Sequence, residues 1–469
     1  MNSINYSITY RNNYTLIYLA IICLLGIGFP VRGQDSIMTL ADCIKLAENN
    51  SIEVLRQQNN VALAGEQVMM AYGQFLPDAN FGAGYNYALG VNDLTASTPT
   101  LVNSNKSLFN YQLTSSVNIF SGLANRMALR NALLNEQGEK LTLERAKQLI
   151  AFDVAQTYLQ VVLDMQLAGY AKDNLAISMK REEQIAALAE VGRKIKSDLF
   201  QQQAATSQDK LLLIAALQAV RKDKIALFKK LRMADSEKHG VSAVGLDSAG
   251  LSMTGAELEG AETLIAKALN ERVDLKKASL AITSAEQNIT KAKSGFIPKL
   301  NLNYGLFSNG AYYYALTING IGAMPSSQPG LGNQLFGQVN GMIGLSTSWA
   351  LFDKNVTRGA MASSKINLLN AKLDYENLQL EIKTSIQQVV SDYVSALQEL
   401  ETASKGLVAA TSGFQMIEGR YQQGSSNFIE LQNAQQNRLL AQEVKTKKII
   451  QLHLLKLVMA LYEGTGKYY

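Results

Sequence analysis

Apolar and polar residues alternate with a period of two in four stretches of the chain, and each pair of stretches follows a proline. After Pro77, residues 79–87 carry Ala, Phe, Ala, Tyr and Tyr at odd positions, with Asn or Gly between them. The alternation recurs in residues 111–119, and again after Pro298 in residues 300–306 and 339–351. A period of two is typical of strands with one apolar face. The sequence therefore predicts two hairpins, with strands at about 78–90 and 108–120 and at about 299–312 and 336–352.

The segments around these hairpins have helical spacing instead. Residues 39–75 and 261–294 precede the two prolines, and proline ends a helix because it lacks the N–H and clashes with the preceding turn. After each hairpin comes a long proline-free segment. In the second of these segments, seven apolar residues share one heptad frame, which predicts left-handed coiled-coil packing: Ile366, Leu369, Leu373, Leu380, Val390, Val394 and Leu397.

The helical and alternating segments form an internal repeat. Phe120 precedes Gly192 by 72 residues, and Phe352 precedes Gly424 by the same spacing. A helix of that length is about 100 Å long at 1.5 Å per residue, which indicates an elongated helical structure. We expect Gly192 and Gly424 to be the turns at which each long helix reverses. The predicted organisation is a first copy at 34–233, a Gly-, Ser- and Ala-rich linker at 234–260, and a second copy at 261–469.

Residues 1–33 have the pattern of a secretory signal peptide. Arg11 precedes an apolar run over 16–29, and Val31 and Gly33 fit the small-residue rule for cleavage before Gln34. An uncleaved membrane anchor is the alternative. After cleavage Cys43 is the single cysteine left, so an intramolecular disulfide is excluded, and we expect a small buried helix residue rather than a reactive thiol. No later segment has 18 consecutive apolar residues, so no transmembrane helix is predicted after the signal.

Charge and motifs argue against several classes of function. The formal net charge is +5, of which residues 1–33 contribute two charges, and the basic residues are spread along helices, so no nucleic-acid partner is predicted. His239 and His453 have no motif partner, and the sequence has no phosphate-binding loop, Cys/His metal spacing or nucleophile elbow. We therefore predict neither an enzyme nor a cofactor or metal site.

The two hairpins have the pattern of a transmembrane β-barrel, with apolar residues on one face and small neutral polar residues on the other. A soluble hairpin packed on a core is the alternative. Four strands cannot close a barrel, and an open edge in lipid leaves backbone groups unpaired at a cost of several kcal/mol each. The prediction is therefore an oligomer, with three chains supplying twelve strands.

In order, the pieces of both copies are a helix, Phe-x-Pro, a hairpin, a long helix, and a glycine followed six residues later by an acid: Gly192 with Asp198, and Gly424 with Glu430. This arrangement resembles the TolC family of outer-membrane efflux channels over the whole mature chain. The resemblance implies a mainly α fold with a β-barrel part, in which three chains form a periplasmic α-barrel of coiled-coil helices and a 12-stranded barrel in outer-membrane lipid. It also implies a homotrimer in the Gram-negative outer membrane that extends into the periplasm and docks to a periplasmic adaptor and an inner-membrane pump of RND, ABC or MFS type. The same scaffold serves type I protein secretion.

The family's periplasmic gate carries over to Asp198 in the first copy and to Tyr421, Glu430 and Asn433 in the second. The chain has Asn433 where the better-known gate has a second acid, and Ser426 where it has a basic residue, so the same salt bridges are not predicted. If Asp198 and Glu430 face the lumen, a trimer places six carboxylates at one opening, which favours cations. Opening would be an iris-like shift of the inner helices. The alternative for both acids is capping of helix N-termini.

Five aromatic residues near the predicted strand ends are candidates for a girdle at the lipid interface: Phe75, Phe81, Phe296, Trp349 and Phe352. Packing in a soluble core is the alternative for these side chains. The alternative for the whole protein is a secreted coiled-coil structural or adhesive protein without a pore, which would lack the two alternating hairpins.

Overall fold

The computed structural model describes residues 37–94, 101–234, 236–242, 261–318, 321–322 and 329–464. The predicted signal peptide (1–33), and residues 243–260 of the predicted linker, lie outside this part of the chain. Within it, no helix combines the length and the apolar composition needed to cross a lipid bilayer.

Two similar halves follow each other along the chain. The first half contains β1 (Ile37–Met38), α1 (Leu40–Asn50), α2 (Ile52–Gly73), β2 (Asn80–Leu94), β3 (Leu101–Phe120), α3 (Ala124–Glu190), α4 (Lys196–Lys230) and β4 (Gly240–Val241). The second half contains α5 (Ala261–Glu271), α6 (Val273–Lys293), β5 (Lys299–Ile318), β6 (Ile321–Gly322), α7 (Leu331–Gly337), β7 (Asn340–Ser348), α8 (Val356–Gln422) and α9 (Phe428–Glu463). Short 3₁₀ turns lie at Ser236–Lys238 and Ser294–Phe296.

The two long helices begin and end in the same way. Both α3 and α8 have 67 residues. Each starts directly after a residue with a left-handed backbone, Leu123 at φ 76° and Asn355 at φ 65°. Such a conformation is uncommon outside glycine, so the chain pays a local strain to turn sharply from strand into helix. The long helices pack along the shorter partners α4 and α9, and α3 also contacts α9, which joins the two halves.

Within the described residues, five strands form an antiparallel sheet in the order β2-β3-β5-β7, with the two-residue β6 paired to the far end of β5, and β1 and β4 form a separate parallel pair. β3 pairs with β5 across the two halves. The register places Leu113 opposite Leu306, and Leu302 opposite Leu345, on one face. The other face carries small polar groups, such as Asn118, whose amide donates to Asn301 at 2.9 Å. Directly opposed residues share a face in an antiparallel pair, so the alternation in the sequence becomes one apolar and one polar surface.

The bounds of all four long strands differ from the sequence-based prediction. β2 extends to Leu94, β3 begins at Leu101 and β5 extends to Ile318. The added parts of β2 and β3 are rich in polar residues, and in β5 three successive tyrosines at 312–314 interrupt the alternation, so an apolar period of two does not mark these parts. The fourth strand was predicted at about 336–352, but residues 336–337 belong to α7, where Leu331 and Leu335 have the i, i+4 spacing of a helix, and β7 ends at Ser348. Trp349 and Phe352 therefore lie outside the strand.

The largest apolar core lies where the middle of α3 meets α1, the end of α4 and the end of α9. It contains Ile44, Val154, Leu159, Phe228 and Leu461. Cys43 is fully buried there, as predicted, and burial raises the pKa of its thiol to about 12. Tyr158 donates to the carbonyl oxygen of Ser242 at 2.5 Å, which fastens the small β1–β4 pair to α3.

The heptad frame of α8 is divided: Val390 and Leu397 pack against buried clusters, whereas the earlier positions do not. Its first four residues, Ile366, Leu369, Leu373 and Leu380, are between 57% and 61% exposed. The buried face of α8 is shifted to other positions, among them Ile382, Ile386 and Tyr393. An apolar coiled-coil stripe therefore faces away from the rest of the protomer.

Candidate functional site

Each long helix reverses at a tip turn, and the two turns are built alike. Gly192 has φ +73° and Gly424 has φ +76°, and a Cβ added at either glycine would meet no atom within 4 Å. The glycines are therefore required by the left-handed backbone and not by crowding. Arg193 N–H donates to the Leu188 carbonyl at 2.8 Å, and Ser425 N–H donates to the Arg420 carbonyl at 2.9 Å. These bonds have the pattern of a Schellman motif, which satisfies the last carbonyls of a helix.

The second tip continues into α9 through an asparagine cap. Asn427 Oδ1 accepts from the backbone N–H of Glu430 at 2.8 Å. The Glu430 carboxylate accepts from the Asn427 amide at 3.2 Å and from the Ser426 hydroxyl. Glu430 is exposed, and so is Asn433 one turn later. The alternative prediction that Glu430 caps the N-terminus of α9 is wrong. Asn427 is the capping residue, and Glu430 is the acidic residue of the first helical turn.

The first tip places Asp198 in the first turn of α4. The N-terminal flanking residue is Ile195, which makes no side-chain cap, so Asp198 is not a capping residue either. Its carboxylate lies 3.7 Å from Lys194 Nζ. A negative charge in the first turn interacts favourably with the helix dipole by about 0.3–1 kcal/mol.

Lys194 also connects the two tips. Its Nζ lies 4.4 Å from the centroid of the Tyr421 ring. Tyr421 itself packs against Phe414, Leu431 and Ala434, and its hydroxyl is buried with no hydrogen-bond partner in the described residues. One ammonium group therefore contacts Asp198 of the first half and Tyr421 of the second half. Sequence reasoning identified the acid and the tyrosine but missed this lysine, although its position four residues before Asp198 is the i, i+4 spacing of an ion pair.

A buried network of hydrogen-bonded polar side chains joins the four helices that lead into and out of the tips, α3, α4, α8 and α9. Arg181 in α3 donates to Gln435 Oε1 in α9 at 2.5 Å and lies 3.5 Å from a Glu418 carboxylate oxygen in α8. Gln435 donates to Asn174 Oδ1 at 2.5 Å, and Asn174 donates to Asp209 Oδ1 in α4 at 2.8 Å. Burial lowers the pKa of Arg181 and raises that of Asp209. A buried network of this kind fixes the relative position of the helices that it joins.

A small acidic cavity lies farther from the tips, between α3, α4 and α9. Asp164, Asp209 and Glu443 are among its lining residues, and its volume is about 170 Å³. Burial, followed by a hydrogen bond with Asp223, raises the pKa of Asp164 to about 6. One oxygen of Asp209 is buried without a hydrogen-bond partner among the described residues. Among the described residues, no group of three or more His, Cys, Asp or Glu is arranged to hold a metal ion.

The opposite end of the molecule contains the helix-to-strand junctions. Pro77 lies between α2 and β2, and Pro298 lies between the 3₁₀ turn and β5; both are exposed. Trp349 Nε1 donates to the Phe296 carbonyl at 3.1 Å, which ties the end of β7 to the start of β5. The five predicted girdle aromatics are all exposed: Phe75, Phe81, Phe296, Trp349 and Phe352. Phe81 lies on the apolar sheet face, and the other four lie between helices and strands.

Comparison with known proteins agrees with this architecture. The family model described as Outer membrane efflux protein matches residues 43–231 and 264–448. The chain belongs to the outer membrane efflux protein family.

Two relatives within the outer membrane efflux proteins are similar over most of the chain. The outer membrane protein TolC of Salmonella enteritidis is 20% identical over 410 residues, covering 87% of this chain and 77% of that protein. The pyoverdine export outer membrane protein OpmQ of Pseudomonas putida is 22% identical over 441 residues, covering 91% and 85%. Among solved structures, the outer membrane protein VceC of Vibrio cholerae has the same fold, with a TM-score of 0.71 at 16% identity over 91% of this chain and 96% of that one.

Membership in the outer membrane efflux protein family places the chain in the outer membrane and gives it the function of an efflux channel. The mainly α fold with a smaller sheet is confirmed by the solved relatives. The family consists of channel proteins, so the alternative of a coiled-coil adhesive protein without a pore loses its support.

Proposed function

We propose that this outer membrane efflux protein is the exit channel of a tripartite efflux or type I secretion system, gated at its periplasmic tips. The observation that carries the proposal is the contact between the two tip turns through Lys194 and Tyr421. A tie between two long hairpins at their free ends is the contact that must break if the hairpins move apart. Asp198, Glu430 and Asn433 lie in the same tip region and are the other gate residues.

Assembly from three chains is supported by surfaces that a single chain leaves uncovered. The sheet has two edges, β2 and β7, whose outer backbone groups have no strand beside them within the described residues. Unpaired edges are costly in lipid, and pairing β7 of one chain with β2 of the next would close twelve strands into a barrel. The exposed stripe Ile366, Leu369, Leu373 and Leu380 gives each chain a coiled-coil surface for a neighbouring helix.

The remaining parts of the proposal concern position and partners. The apolar sheet face meets outer-membrane lipid, with the aromatic girdle near the junctions at Pro77 and Pro298, and the helices extend into the periplasm. The tips dock to a periplasmic adaptor, which connects the channel to an inner-membrane pump of RND, ABC or MFS type. In this proposal the chain consists of a cleaved signal peptide at 1–33, two efflux repeats at 34–233 and 261–469, and a linker at 234–260 between the repeats.

The test is channel recording on the purified full-length mature protein in planar lipid bilayers. We expect a small conductance for the wild type and a much larger one for the Tyr421→Ala/Glu430→Gln double variant, because the variant loses the contact of Tyr421 with Lys194 that joins the two tips and the negative charge of Glu430 in the second tip. The matched control is Tyr375→Ala/Glu376→Gln in the strand-proximal third of α8, far from either tip, where Tyr375 also packs against an apolar cluster. Mass measurement in detergent accompanies the recording, and a stoichiometry other than three, or an unchanged conductance in the tip variant, would contradict the proposal.

A further inference from the structure

The short helix α7 lies against the apolar face of the sheet. A Cβ at Gly310 would lie 3.3 Å from side-chain carbons of Leu331 and Leu335, so the glycine lets this helix approach β5 closely. The Gln334 amide oxygen accepts from the Ala311 N–H at 2.8 Å, and its nitrogen donates to the Ala311 carbonyl at 3.1 Å. Gln334 thereby supplies to Ala311 the two backbone hydrogen bonds that a neighbouring strand would make, at a position past Asn340, where β7 begins.

Two hydroxyl groups of the sheet hold α7 in place by hydrogen bonds. Tyr111 donates to the Leu335 carbonyl at 2.8 Å, and Ser308 donates to the same oxygen at 2.6 Å. These bonds satisfy a carbonyl near the C-terminal end of the helix, where intrahelical donors are missing. The helix is therefore a fixed part of this face.

An open apolar cleft of about 600 Å³ lies between α7 and the strands β2 and β3. Its walls include Phe81, Ala83, Tyr85, Phe109, Tyr111 and Phe336. The rings of Tyr85 and Phe109 are 4.8 Å apart, and those of Tyr111 and Phe336 are 6.4 Å apart. These are ordinary distances for paired aromatic rings, so the walls are held in place by contacts among themselves.

Apart from Asn110, the residues that line the cleft present mainly hydrocarbon. The Tyr85 hydroxyl is engaged with Ser107 at 3.2 Å, and the Tyr111 hydroxyl is engaged with α7. No charged residue lines the cleft among the residues that the structure describes. Phe81 and Phe336 are 71% and 79% exposed, so the opening is bounded by aromatic surface that a single chain leaves bare.

We propose that this cleft binds one acyl chain of a phospholipid. The cleft is continuous with the apolar face that carries Leu113, Leu306 and Leu345, and that face meets the membrane under the proposed function. Its volume lies within the range of roughly 300–1,000 Å³ that is usual for specific ligand pockets. A lipid with several chains and anionic phosphates would require basic side chains at the rim, and none lines this cleft. A two-chain zwitterionic phospholipid, with one chain in the cleft, fits the lining.

The test measures binding of synthetic phosphatidylethanolamine to the full-length protein in detergent, by native mass spectrometry over a lipid titration. Ala83→Trp fills the cleft from its floor, and Leu345→Trp places the same indole side chain on the same face outside the cleft. We expect the apparent Kd for the first lipid per chain to rise about ten-fold or more in Ala83→Trp and to stay within about two-fold of wild type in Leu345→Trp. Phosphatidylcholine should bind as tightly as phosphatidylethanolamine, because the acyl chain and not the headgroup contacts the cleft.

Two results would overturn the proposal: equal lipid binding by Ala83→Trp and wild type, or a strong dependence on the headgroup. If Ala83→Trp does not assemble, Phe336→Ala removes one wall without adding bulk and should weaken binding in the same direction. Channel recording on each variant separates this inference from the proposed function. Ala83 lies on the face opposite the polar sheet surface, so its conductance should equal that of the wild type even when lipid binding is lost.

Discussion

Lys194 Nζ lies 4.4 Å from the ring centroid of Tyr421, although the two residues belong to different halves of the internal repeat. The same ammonium lies 3.7 Å from Asp198. A cation over an aromatic ring contributes about 0.5–1 kcal/mol at an exposed site and more when water is excluded. One residue therefore couples the first tip to the second.

Replacing Lys194 by methionine should increase the conductance of the channel. Methionine keeps much of the chain length but removes the charge that interacts with Tyr421 and Asp198, so the tips lose their tie. The measurement is single-channel current in planar bilayers, with Lys196→Met as the control because Lys196 is an exposed residue two positions away. Equal conductance in Lys194→Met and wild type would show that the tie does not limit opening.

Replacing Arg181 by methionine should lower the stability of the helical hairpins. The change leaves the Gln435 oxygen and the Glu418 carboxylate without their guanidinium partner. Breaking a buried ion pair typically costs about 3–5 kcal/mol, and we expect about 2 kcal/mol because Glu418 remains partly exposed and can be hydrated. The thermal midpoint of the far-ultraviolet circular dichroism signal reports the loss, and the exposed Arg193→Met should leave it unchanged.

Asp164 in the acidic cavity should make the stability of the protein depend on pH. The pKa of Asp164 is raised from 3.8 to about 6, so between these values the folded protein holds a proton that the unfolded chain has released. Stability therefore falls as the pH rises through this window, and the unfavourable contribution is complete above about pH 6.

Asp164→Asn should flatten this part of the profile and raise the thermal midpoint at pH 7 relative to wild type, with little difference between the two proteins near pH 4. The difference between variant and wild type isolates Asp164 from other carboxyl groups, such as Asp274, whose pKa is lowered. A wild-type profile parallel to that of the variant from pH 4 to 7 would contradict the assignment.

Gly424→Ala should destabilise the second tip by about 1–2 kcal/mol, since a left-handed backbone at φ +76° is unfavourable for any residue with a Cβ. Gly419→Ala is the matched control, because Gly419 lies within α8 and a Cβ there would meet nothing. The control should be neutral or slightly stabilising, given the higher helix propensity of alanine. Limited proteolysis at the tip measures both changes, and equal cleavage rates would contradict the prediction.

The sequence predicted the elements whose periodicity is carried by apolar residues. The long helices, the turns at Gly192 and Gly424 and the helix ends before Pro77 and Pro298 all follow from local chemistry. The outer parts of β2 and β3 were missed because their ladder runs through polar residues, and the outer part of β5 was missed because its successive tyrosines do not alternate with polar residues. The helix α7 was missed because seven residues carry little periodic signal. Contacts between distant segments, such as Lys194 with Tyr421 and Arg181 with Gln435, depend on how the two halves pack, which spacing along the chain does not encode.

The equal length of α3 and α8 constrains how this gene can change. Both helices have 67 residues, so their turns reach the same level and Lys194 can meet Tyr421. Deleting one heptad from a single copy would shift its turn by about 10 Å along the axis, at 1.5 Å per residue, and the two residues would no longer touch. We therefore expect an insertion or deletion in one long helix to preserve the contact between the tips only if the other long helix changes by the same number of residues.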